Sequence, residues 1–273
     1  MNLPDDVPSR SAAGLHRPAA AVILAGGRSS RLGGMPKAAL RMDADGGTLL
    51  ALTVAAAAAA LNRAGGHYRG ADCAGAGPSG AAQPGAQPGG RPGAQRGAQR
   101  GKPRIAVVGP AAELRGLVPD PDSVLWIREE PPFSGPAAGL AAGLEALAAT
   151  PAGEADELVL VLACDMPGIA AALDALLAAP PRVESGGSLP DGWLAVDGDR
   201  DQPLAALYRL APLCARVEDS RARGRLENGS IFRLVASLDL TRVAVPPRST
   251  ADVDTWADAQ TLGVHPGSRE DQP

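Results

Sequence analysis

Residues 19–37 read AAAVILAGGRSSRLGGMPK, and the first half of this stretch decides the fold. Ala19–Ala25 is an unbroken apolar run with Val22, Ile23 and Leu24 at its centre, closed by Gly26-Gly27. A short apolar run bounded by glycines predicts a strand buried on both faces that ends in a tight turn. Strands of that kind belong to parallel sheets covered by helices. The rest of the chain keeps the rhythm. Strands are predicted at 105–108, 124–127, 158–163, 194–196, 203–209 and 241–245. Helices are predicted at 48–64, 111–117, 136–149, 169–179, 230–236 and 254–262. The alternation predicts an α/β fold: a doubly wound, mostly parallel sheet with helices on both faces, in one domain.

That domain spans 19–263, between a flexible N-terminal tail (1–18) and a flexible C-terminal tail (264–273). It is interrupted at 65–103. Residues 74–101 contain nine Gly, seven Ala and four Pro and no aliphatic side chain larger than Ala. Such a segment buries too little apolar surface to offset its ordering entropy, so 65–103 is predicted to be a disordered surface insertion.

Composition narrows the function. The 273 residues carry a net charge of −4, which argues against a general binder of nucleic acid or anionic membrane. Three Trp, two Tyr and two Phe are too few for stacking along single-stranded nucleic acid. Cys73, Cys164 and Cys214 lack disulfide or zinc spacing, and no apolar run is long enough to span a bilayer. A cytoplasmic protein is expected. Among the 26 basic residues only Lys37 and Lys102 are lysine.

The chemistry is expected in the loops at the carboxyl ends of strands. After the first strand, Leu24, Ala25, Gly26 and Gly27 lead into Arg28, Arg31 and Lys37. Glycines let backbone N–H groups approach a phosphate chain, and the cations neutralise it. Neither Gly-Lys-Ser/Thr nor GxGxxG spacing occurs in this loop, so the P-loop and the dinucleotide fingerprint are both excluded here. A glycine-rich surface loop with solvated arginines is the alternative. Asp165 in CDMP, directly after the LVLVLA strand, is placed to hold a magnesium ion or to cap the next helix. Cys164 beside it reads as a small buried apolar residue. Glu129 or Glu130, before the helix opened by Gly135-Pro136, could accept from the N–H groups of a purine or serve as an acidic cap. Asp254 is a helix cap or a second metal carboxylate.

Five segments together carry a resemblance: LAGGRSSRLGGMPKAAL (24–40), REEPPFSGPAAGLAAGL (128–144), CDMP (164–167), DRDQPLAALYR (199–209) and DVDTW (252–256). In order and spacing the chain resembles the MobA-like nucleotidyltransferases, and among them the molybdenum cofactor guanylyltransferases. The resemblance implies the nucleotidyltransferase Rossmann-like fold. It also implies transfer of GMP from GTP to the phosphate of molybdopterin or Mo-molybdopterin, with Mg²⁺ as cofactor and molybdoenzymes or their chaperones as further partners. It assigns Leu24, Ala25, Gly26, Gly27, Lys37, Glu130 and Asp165 to the nucleotide, Arg31, Lys37 and Asp165 to catalysis, and Asp165 with Asp254 to the metal. The DRDQP loop would face the pterin. Pro36 before the lysine, and Val107-Val108-Gly109-Pro110 in place of the family's asparagine, leave two further readings open. One is a related transferase using CTP, a sugar phosphate or phospholactate. The other is a catalytically silent nucleotide-binding or scaffold protein.

Overall fold

The computed structural model describes residues 18–27, 29–42, 46–65, 104–148, 157–180 and 189–267. Both predicted tails, apart from Pro18 and 264–267, and the predicted insertion, apart from Gly65, lie outside the described residues. So does Arg28.

Seven strands form the main sheet, in the order β4-β3-β1-β5-β7-β6-β8. They are β1 (Pro18–Leu24), β3 (Ile105–Val108), β4 (Leu125–Ile127), β5 (Leu158–Ala163), β6 (Gly192–Asp197), β7 (Arg200–Arg209) and β8 (Leu240–Ala244). All neighbours pair in parallel except β7, which runs antiparallel to β5 and β6. β2 (Leu40–Met42) and β9 (Val264–Pro266) form a separate antiparallel pair. The predicted C-terminal tail is thus corrected at Val264–Pro266. Val264 is buried and packs with Leu32, Leu40, Leu49, Val253 and Ala259, so its partners hold a segment whose local sequence gives no strand signal.

Period-two alternation sorts the sheet into two cores. Ala21, Ile23, Ile105, Val107, Leu160 and Leu162 face α1 (Leu49–Gly65) and α4 (Ile169–Ala178). Their neighbours Ala20, Val22, Ala106, Val108, Val159 and Val161 face α3 (Pro136–Ala148), α5 (Leu210–Ala222) and α6 (Ile231–Val235). Helices on both faces are therefore observed. The short helices α2 (Ala111–Leu114) and α7 (Trp256–Thr261) complete the set. α5 was not expected. Pro212 sits in its first turn, and it buries only Leu213 and Val217, too weak an apolar stripe for a periodicity argument.

The topology positions the site. From β1 the chain crosses by α1 to β3 and then β4, whereas α3 returns it to β5 on the other side of β1. The winding reverses between β1 and β5, and ligands of such sheets bind outside the carboxyl ends at that reversal. Here Leu24 pairs with Ala163, and the Cys164 N–H donates to the Leu24 carbonyl at 3.1 Å. Among the described residues no helix is long and apolar enough to cross a membrane.

Candidate active site

A cleft of about 1340 Å³ opens over this reversal. Its floor is the loop after β1. Building a Cβ on Gly27 meets nothing within 4 Å, and on Gly26 meets only Val108 and Gly109 backbone near 4 Å. Packing within the protein does not demand glycine at either place, so their missing side chains leave space for a ligand against bare backbone. The loop then turns through Gly33 and Gly34, both at positive φ, and buried Leu32 anchors it. Lys37 is held at the far side, its N–H donating to Ser29 Oγ at 3.4 Å.

The charged pole of the cleft gathers three distant segments. Lys37 Nζ donates to Asp165 Oδ2 at 2.8 Å and to Asp254 Oδ1. Arg31, largely exposed, reaches Asp254 at 3.8 Å. Asp252 joins them: oxygens of Asp165, Asp252 and Asp254 lie within 4.8 Å of one another. The pattern Asp-Val-Asp explains why. In an extended segment residues i and i+2 share a side. Val253, fully buried, points into the small core with Leu32 and Leu40, and its N–H donates to the Asp165 carbonyl at 3.0 Å. The two aspartates are thereby left facing the cleft. Asp197 steadies the same loop, accepting from the N–H groups of Arg248 and Thr250 at 3.1 and 3.3 Å.

Burial disfavours the Lys37 ammonium, but the Asp165 and Asp254 carboxylates outweigh it and hold the group above the ordinary lysine value. Burial pushes the Asp165 carboxyl up while Lys37 pulls it down. Three carboxylates against the Lys37 ammonium and the Arg31 guanidinium leave a net negative charge that a divalent cation would offset. Clustered carboxylate oxygens are the hard ligands Mg²⁺ prefers, so this donor set fits that ion. Burial also pushes the Cys164 thiol up, which suits the apolar role read from its sequence.

Of the residues singled out by sequence, Leu24, Ala25, Gly26, Gly27, Arg31, Lys37, Asp165 and Asp254 all line the cleft, as do Arg200–Pro203 of the DRDQP loop. Glu130 does not. It is exposed, and Glu129 lines the wall instead, its Oε1 accepting from the Phe133 N–H at 2.9 Å. Neither aspartate proposed as a helix cap acts as one. Gly168 precedes α4 with no side-chain cap, and Thr255 caps α7 in a reciprocal box with Asp258. Asp252, Phe133 and Phe232 line the cleft and were not assigned. For Asp252 the i, i+2 spacing was the available signal.

A reversal-point cleft with a glycine floor, an ammonium and an acidic triad is the arrangement that α/β proteins use for phosphorylated ligands. Residues 21–66 and 80–234 match the MobA-like NTP transferase domain, and the chain belongs to this family of nucleotidyltransferases. Two solved structures agree in fold. A protein from Mycobacterium sp. strain JC1, homologous to Rv0371c of Mycobacterium tuberculosis, is similar at 20% identity and a TM-score of 0.52, over 89% of this chain and 93% of that one. The 2-C-methyl-D-erythritol 4-phosphate cytidylyltransferase of Francisella tularensis is similar at 12% identity and a TM-score of 0.50, over 88% and 96%. Molybdopterin-guanine dinucleotide biosynthesis protein A from Archaeoglobus fulgidus has 15% identity and a TM-score of 0.47, over 89% and 96%. No curated protein sequence matches the chain.

Proposed function

We propose that the protein transfers GMP from GTP to the phosphate of molybdopterin, forming the guanine dinucleotide cofactor and releasing pyrophosphate. One observation carries this reading: the Lys37 ammonium and the Asp165, Asp252 and Asp254 carboxylates converge beside the Leu24–Gly27 backbone in one cleft. The cleft exceeds the ~300–1000 Å³ of a site for one small ligand, which suits two substrates held together.

The acceptor phosphate is already anionic, so no general base is needed. Its oxygen attacks the α-phosphorus, and that P–O bond forms as the α–β bridging bond breaks. The leaving pyrophosphate takes the electron pair. The obstacles are repulsion between anions and charge growing on the leaving group, so the residues act by position and charge. Backbone N–H groups of Gly26 and Gly27 hold the nucleotide, the Ala25 N–H being engaged by the Val108 carbonyl, and Lys37 and Arg31 neutralise its phosphates. Glu129, rather than Glu130, accepts from the base. Asp165, Asp252 and Asp254 would hold Mg²⁺, which when bound supplies further charge neutralisation on the phosphates.

Incubation with GTP, Mg²⁺ and molybdopterin, followed by mass spectrometry of the product, tests the reading. Formation of the guanine dinucleotide supports it, and absence of product overturns it. A parallel reaction with CTP covers cytidylyl transfer, the activity named for the Francisella structure of the same fold. A product from neither nucleotide would leave a transferase that uses another phosphorylated acceptor, such as a sugar phosphate or phospholactate, or a silent binding protein.

A further inference from the structure

Two of the three carboxylates that fit Mg²⁺ already hold a cation. Lys37 Nζ donates to Asp165 Oδ2 at 2.8 Å and to Asp254 Oδ1, so two of the ammonium's three donors are engaged by the triad. Oxygens of the three aspartates lie within 4.8 Å of one another. An ion held by all three would therefore stand against the ammonium at close range. The Lys37 side chain is only 22% exposed, so solvent screens that repulsion poorly. The ammonium and the ion cannot both keep the same carboxylates.

Lys37 has somewhere else to go. Its charge sits on a flexible four-carbon stem, and it lines the same cleft as Gly26 and Gly27. A polyphosphate laid on that glycine loop offers the ammonium more acceptor oxygens and more negative charge than two aspartates do. Arg31 is a different case. It is 73% exposed and meets Asp254 at 3.8 Å, beyond hydrogen-bond distance, so it shields the triad without filling it.

We propose that the Lys37 ammonium and the divalent cation compete for the Asp165 and Asp254 carboxylates, and that a nucleotide's phosphates end the competition by drawing Lys37 onto themselves. The metal alone is then held weakly, and metal and nucleotide strengthen each other's binding. The competition presupposes the nucleotidyltransferase reading of the cleft, though not its acceptor.

Binding of Mn²⁺, a probe that shares the oxygen ligands of Mg²⁺, is measured on the full chain without nucleotide, from loss of the free ion's paramagnetic resonance signal. Lys37→Met is expected to bind Mn²⁺ about tenfold tighter than wild type. Arg31→Met removes the same charge from an exposed position and should stay within about threefold. Equilibrium dialysis of GTP in EDTA supplies the opposite sign: Lys37→Met should weaken metal-free GTP about tenfold. Unchanged or weaker Mn²⁺ binding by Lys37→Met overturns the competition, as does equal tightening by Arg31→Met. Unchanged GTP affinity overturns the move of Lys37 to phosphate.

Should Lys37→Met fail to fold, the native site answers by itself. The chain has two lysines, Lys37 and Lys102, so nitrogen-labelled lysine in a Lys102→Arg background reports the Lys37 ammonium alone by NMR. Saturating Mg²⁺ should shift its resonance, and so should GTP in EDTA; a resonance that either leaves in place overturns the proposal. If no acceptor gives turnover but Lys37→Met tightens Mn²⁺ and weakens GTP, the transferase reading falls and the competition stands. Turnover together with unchanged Mn²⁺ affinity keeps the transferase and removes the competition.

Discussion

Lys37 is the one described lysine in a chain that otherwise uses arginine, and its surroundings explain the choice. An ammonium is a compact charge that fits between Asp165 and Asp254, where a planar guanidinium would need more room. Removing it leaves three carboxylates repelling one another and the phosphates. Lys37→Ala is expected to lower kcat/KM at least a hundredfold, about 2.7 kcal/mol of transition-state stabilisation. Steady-state pyrophosphate release measures this, and near-wild-type turnover would remove the role. The lysine was legible in sequence because its type is rare in this chain. Glu129 was not separable from Glu130, since adjacent residues in a loop have no period to tell them apart.

At the scale of elements, α3 lies tight on the sheet because Gly143 has no side chain. A Cβ there would stand 2.6 Å from Val22 Cγ1 and 3.1 Å from Val108 Cγ2. Gly143→Ala should therefore destabilise by about 1–3 kcal/mol through overpacking, despite alanine's better helix propensity. Urea unfolding decides it, and a stabilised variant would contradict the packing. α7 gives a second case. Asp258 Oδ2 accepts from the N–H groups of Thr255 at 2.7 Å and Asp254 at 3.2 Å, so the cap also fixes the loop that carries Asp252 and Asp254. Thr255→Ala should cost about 1 kcal/mol in the same measurement. The predicted helix there began at Asp254; the capping box, not hydrophobic spacing, sets its start at Trp256.

Across the whole molecule, the two-faced sheet buries Tyr208 completely, its hydroxyl donating to the Pro203 carbonyl at 2.9 Å. Burial pushes the phenol above its ordinary value. Below about pH 10 folded and unfolded chains both keep this proton and it adds no slope. Above that the unfolded chain releases it and the folded chain does not, so stability falls as pH rises, by about 1.4 kcal/mol per pH unit from this group. Tyr208→Phe should flatten that decline while costing about 1 kcal/mol at neutral pH. Chemical denaturation of both proteins from pH 9 to 11.5 checks it. An identical slope in the variant would place the effect elsewhere.

The amino-acid sequence alone determined the layered α/β architecture, the first strand and its glycine loop, and the choice of Lys37 and Asp165 as candidate site residues. Those features are written in local periodicity and in residue types at strand ends, which a few neighbouring residues suffice to specify. Tertiary structure alone decided that Asp252 stands beside Asp165, that Val264–Pro266 pairs with Leu40–Met42, and that both phenylalanines line the cleft. These depend on the register of β1 against β5 and on a buried valine between two aspartates. Contacts between segments more than 80 residues apart leave no period in the chain that makes them.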